Sequence, residues 1–269
     1  MNDEEYLNIL LQPIRVCAHY RPKFGQGAKG AGLVLAEFQK LYREDPFYNW
    51  FGLDHPLMYA AHKAAGGMTS IYRQIGIGCE QLFRRILKDS LSLSSEDVKW
   101  SYEVEMGGEK KRTLSLDGRV RFDAIANKQA RKRFQDWMMT AGETVGVEKK
   151  ILQTLEGVVF EVRQGYKSKD SKRQNADIAN ATSAYVKGYF PCAVILSGQI
   201  DSDIVVRYRL QRWGIVTGIM GANDPLVSTY DFMREIVGYD LARFFTHNSK
   251  VLKIELEKVL LALLTPEAK

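Results

Sequence analysis

The run Gly157-Val158-Val159-Phe160-Glu161-Val162 constrains the fold more than any other stretch of the chain, because its composition is that of a strand inside a protein core, yet it carries a carboxylate. Ala193-Val194-Ile195-Leu196-Ser197 reads likewise as a buried strand. A second carboxylate, Asp123, interrupts the extended run Val120-Arg121-Phe122-Asp123-Ala124-Ile125. Desolvating a carboxylate is costly unless it meets a cation, and two that converge supply the hard oxygen ligands that Mg²⁺ prefers. Each taken alone is equally well explained as a residue facing solvent from a half-exposed strand.

The hydrophobic period changes along the chain. Before Ser94-Ser95 it is helical, with apolar stripes near Tyr6-Leu7, through Leu33 to Tyr42, and through Ile71 to Leu87; Thr69 or Ser70, after Gly66-Gly67, is expected to cap the start of the third helix. After it, Val98, Trp100, Tyr102 and Val104 alternate with polar residues, and Gly107-Gly108 leads to a second extended run from Arg112 to Ala126, which predicts a β-meander. Residues 128–150 read as helical, as does the stretch near Asp177–Val186. Ser228-Thr229-Tyr230-Asp231 resembles a capping box opening a helix through Phe244, and Val251–Leu264 reads as a final amphipathic helix.

At 269 residues, with 45% hydrophobic and 26% charged side chains, the composition is that of a globular protein. There is no apolar stretch of roughly 20 residues to span a bilayer, and the acidic start Met1-Asn2-Asp3-Glu4-Glu5 is unlike a basic signal peptide, so a cytoplasmic protein of a prokaryotic cell is expected. Cys17, Cys79 and Cys192 lie far apart and read as reduced core residues; the four histidines have no zinc spacing. A net charge of +6 favours a polyanionic partner. The charge is concentrated after Glu161, where Arg163 to Asn175 holds five cations against one aspartate; Lys167, Lys169, Ser171, Lys172, Arg173, Gln174 and Asn175 are suited to meet phosphates or base edges. A second basic stretch, Arg21 to Gly30, reads equally as a phosphate-contacting or a solvated loop.

Leu116-Asp117-Gly118-Arg119-Val120-Arg121-Phe122-Asp123, followed by Phe160-Glu161-Val162-Arg163, resembles the PD-(D/E)xK motif of type II restriction endonucleases. The likeness covers roughly residues 98–200, including the loop and helix start from Gly165 to Asp177. It implies an α/β fold with a central mixed sheet of the restriction-endonuclease type flanked by helices, in a single domain: helical elaboration over 1–95, catalytic core over 96–200 and a C-terminal helical part over 201–269. It also implies that Asp123, Glu161 and the Val162 carbonyl hold Mg²⁺ for hydrolysis of double-stranded DNA at a short site, and that the protein acts as a homodimer. Asp117 is a secondary ligand candidate, its Asp-Gly pairing reading first as a hairpin turn.

The sequence departs from the motif in two places: Phe122 stands where proline is usual, and Arg163 where the motif has its lysine. Arginine does not deprotonate to serve as a base, which leaves it an electrostatic role, while Lys167, reached through Gly165, or else Lys169, can supply the missing amine. Two other readings stay open: a structure-specific or repair nuclease of the same fold, and a non-catalytic nucleic-acid-binding protein whose carboxylates are structural.

Overall fold

The computed structural model of the chain describes residues 3–24, 30–105, 111–165 and 180–266. The chain divides into two compact units, Met1–Asp3 with Cys79–Thr246 and Glu4–Gly78 with His247–Lys269. It is a mixed α/β protein with two sheets, one of them mixed in strand direction, and no closed barrel. Among the described residues no helix is long and apolar enough to cross a membrane.

The unit containing the sheets opens with the last third of helix α4 (Pro56–Ser90) and continues into a hairpin of β1 (Trp100–Glu105) and β2 (Lys111–Leu116). A bend at Asp117 separates β2 from β3 (Gly118–Arg121). Helices α5 (Lys128–Thr144) and α6 (Lys149–Leu152) precede β4 (Gly157–Arg163). The helical residues 180–186, here α7, precede β5 (Tyr189–Ile195); α8 (Ser202–Leu210) then leads to β6 (Gly214–Val216). A turn of helix α9 (Thr229–Asp231), a π-helical stretch (Phe232–Val237) and the start of α10 (Leu241–Leu264) complete the unit. The sheet order is β3-β4-β5-β6, with β3 antiparallel to β4 and the other pairs parallel.

Burial follows the period of two. On one face Val159 joins a core with Trp100, Leu116, Ala193, Ile195 and Trp213. On the other, Phe160 meets the rings of Phe83 of α4, Phe134 of α5 and Phe232, at centroid separations of 5.2, 6.3 and 5.9 Å. Fully burying such a ring is worth about 1.5–3 kcal/mol, so Phe160 ties the sheet to three elements at once. Strands β4 and β5 are buried along almost their whole length and apolar apart from Glu161 and Arg163 of β4, because both of their faces are covered, as parallel pairing requires.

The expected strand through Asp123 stops earlier, at Arg121. The Phe122 amide donates to the Glu156 carbonyl, after which Ile125 N–H bonds back to the Phe122 carbonyl and closes a turn. That turn is fixed by α5, whose Arg131 donates to the Ile125 carbonyl and whose first turn is capped by the Asn127 side chain accepting from Gln129 and Ala130. The Ser228 side chain accepts from the Asp231 amide, the cap expected there, but the helix is broken at Gly238 and resumes at Leu241.

The other unit is helical: α1 (Asp3–Val16), a 3₁₀ turn (Cys17–His19), α2 (Leu35–Glu44), α3 (Pro46–Trp50), the first two-thirds of α4 and the rest of α10. Leu11, Ile14, Cys17, Ile71, Val259 and Leu263 form its core. The helix start expected at Thr69 or Ser70 is not a boundary, since α4 runs without interruption from Pro56. Gly66 and Gly67 lie where Tyr20 and Leu263 press on the helix, and a Cβ at either position would collide with those side chains. These glycines give room for packing rather than a turn.

Candidate active site

The register of β3 on β4 decides which carboxylates meet. Gly118 pairs with Phe160, and Asp117, the bend residue before it, lies at the end of this ladder beside Phe160 and Val162. The Asp117 amide donates to the Phe160 carbonyl at 2.8 Å, and its Oδ2 accepts the Val162 amide at 2.8 Å, so the carboxylate takes over where the backbone ladder ends. Cross-strand neighbours share a face of the sheet. Gly118 and Phe160 both lie toward Phe83 of α4, so Glu161 and Arg163, which alternate with Phe160 along β4, belong to the opposite face.

Glu161 is 6% exposed, and its carboxylate forms an ion pair with the Arg163 guanidinium two residues along the strand. Burial in this position demands such a counter-charge, since an uncompensated carboxylate inside a protein costs several kcal/mol. On the same face the Tyr102 hydroxyl donates to Asn180 Oδ1 at 2.5 Å, a buried bond to the first described residue of α7. Arg84 of α4 donates its Nε to the Asp117 carbonyl at 2.8 Å and so holds the bend in the chain. The C-terminal ends of β4 and β5 are tied by bonds from Leu196 N–H to the Arg163 carbonyl and from Ser197 N–H to the Gln164 carbonyl, with Tyr230 Oη donating to the Leu196 carbonyl. Burial raises the pKa of the Tyr230 hydroxyl, which keeps it protonated as that donor.

Asp123 is not brought to Glu161. Arg121, two residues before it, pairs with Gly157, which is four positions from Glu161, or about 13 Å along a strand. Its side chain is 66% exposed and bonds Arg121 at 2.5 Å, and this carboxylate is the first cause of the raised Arg121 pKa. The structure does bring together Glu161, Val162, Arg163 and Asp117. Lys167, Lys169, Ser171, Lys172, Arg173, Gln174 and Asn175 lie outside the described residues.

In a strand, a residue's N–H and C=O project toward the same neighbour, so the Val162 carbonyl points to the side from which Asp117 receives the Val162 amide. Two carboxylates and a backbone carbonyl at the end of one ladder are donors of the type a hard divalent cation takes, and by donor chemistry they fit Mg²⁺. Among the described residues no cluster of three or more His, Cys, Asp or Glu side chains converges. Comparison of the chain with protein-family models, with curated proteins and with solved structures found no match.

Proposed function

We propose that the chain is a Mg²⁺-dependent endonuclease acting on double-stranded DNA, with a restriction-endonuclease-like sheet and a metal held by Asp117, Glu161 and the Val162 carbonyl. The observation that carries this reading is the bond of the Asp117 carboxylate to the amide of Val162, the residue after the buried Glu161, with Arg163 following on the strand. It keeps the spacing of the PD-(D/E)xK motif in the second strand but draws the first carboxylate from Asp117 in place of Asp123.

A bound Mg²⁺ supplies acidity to a coordinated water and neutralises charge on the scissile phosphate. Around it, Arg84 and the Val162 amide orient Asp117, while the aromatic packing of Phe160 holds Glu161 in register. Arg163 remains protonated and keeps a fixed positive charge next to the carboxylates, which suits it to offset charge on a phosphate and not to remove a proton. The net charge of +6 and the basic run after Gly165 favour a polyanionic substrate. A homodimer, with two such sites related by a two-fold axis, suits cleavage of both strands at a palindrome.

The Glu161–Arg163 ion pair also favours a second reading, in which the carboxylate is structural and the protein binds nucleic acid without cutting it. Incubation with plasmid DNA separates the two. The endonuclease reading expects discrete fragments in Mg²⁺ and none in excess chelator or with Glu161→Gln; a ladder of random sizes points to a structure-specific nuclease, and binding without any cleavage in Mg²⁺ or Mn²⁺ removes the catalytic assignment.

A further inference from the structure

The helical unit contains a cavity of about 320 Å³ whose lining includes His19, Tyr20, Arg21, Val34, Leu35 and Lys63, and no acidic residue among those described. Lys63 is 7% exposed, a rare depth for an ammonium group. It donates to the carbonyls of Ala262 at 2.7 Å and Thr265 at 3.2 Å, at the C-terminal end of α10. An ammonium carries three N–H donors, so these two bonds leave it one more to give.

Arg21, which is exposed, stands close enough to affect this group. Burial lowers the Lys63 pKa, and the positive charge of Arg21 lowers it further. Among the described residues neither cation forms an ion pair with a carboxylate. Glu37, in the first turn of α2, turns its Oε2 to the Val34 amide at 3.0 Å. The same turn opens on the cavity, and its N-cap residue Val34 has no polar side chain with which to cap the helix. Two cations converging on a half-enclosed, polar space repel each other unless an anion joins them.

We propose that this cavity binds a phosphate group, held by the Lys63 ammonium and the Arg21 guanidinium. The site is separate from the carboxylates of β3 and β4 and does not depend on the endonuclease reading. The phosphate is either free or the terminal phosphate of a nucleic acid, since both present the same doubly charged oxyanion.

Calorimetric titration with inorganic phosphate, against chloride at equal ionic strength, tests the proposal. Saturable binding is expected, with a melting temperature that rises with phosphate concentration. Arg21→Ala is expected to weaken binding by about tenfold or more, the loss of a charge-assisted contact. Lys63→Met should abolish binding but also uncaps α10, so the exposed Arg21 is the decisive position. Competition with a 5′-phosphorylated oligonucleotide identifies the source: displacement of inorganic phosphate assigns the site to a nucleic-acid end, and indifference assigns it to free phosphate. Absence of saturable binding to the unaltered protein, or binding by Arg21→Ala as tight as by the unaltered protein, overturns the proposal.

Discussion

At one end of the ladder joining β3 to β4, Asp117 accepts the amide of Val162, the residue after the buried Glu161; at the other, Asp123 sits in a turn, largely exposed, beside Arg121. Both aspartates belong to the same short segment and both have an arginine close by. The difference lies in what surrounds them. At the Asp117 end the strand edge, α4 and a core face limit solvent, so charge there must be matched by designated partners. At the Asp123 end water does that work, and a pair in water is worth little. A carboxylate gains chemical potential from the first kind of setting.

The comparison breaks most directly through activity. Asp117→Asn keeps an acceptor for the Val162 amide yet loses the charge, and under the proposed endonuclease reading single-turnover cleavage is expected to fall by at least about 10²-fold, whereas Asp123→Asn should cut at close to the unaltered rate. The opposite pattern in a plasmid-nicking time course would return the metal site to Asp123. Stability offers a test that needs no substrate. Glu161→Ala separates a buried ion pair and is expected to cost about 3 kcal/mol in urea denaturation at neutral pH. A loss below about 1 kcal/mol would mean that the pair is far better hydrated than its burial indicates.

Gly157 probes the ladder itself. A Cβ there would overlap the Val120 carbonyl across the strand pair, so Gly157→Ala should push β3 off β4 and cost about 1–3 kcal/mol, measured by the same denaturation. If cleavage also falls, although Gly157 lies near Asp123 and far from Glu161, register is what aligns Asp117. The smallest effect is expected from Asp123→Ala, within about 0.5 kcal/mol in stability. A larger loss would show that the bond to Arg121 holds the turn before α5.

Much of the local structure was readable from residue order. The apolar run at β4, the alternation in β1, and the Ser228 cap each depend on neighbours a few positions away, and each appears where the pattern put it. What was misread depended on distant partners. Gly66 and Gly67 look like a helix start until Tyr20 and Leu263 are seen against them. The run through Asp123 looks like one strand until Arg131 and Asn127 of α5 are seen to seize its end.

The sequence by itself determined that a mixed α/β chain would carry a carboxylate, Glu161, in an otherwise apolar strand, with an arginine two residues on. It did not choose between the aspartates, since Asp117 and Asp123 stand within one short extended run. Only the tertiary structure made that choice. Register is set by hydrogen bonds and packing between segments some forty residues apart, and the pairing of Gly118 with Phe160 brings the Asp117 carboxylate to the Val162 amide while the hold of α5 on the end of β3 leaves Asp123 exposed to solvent.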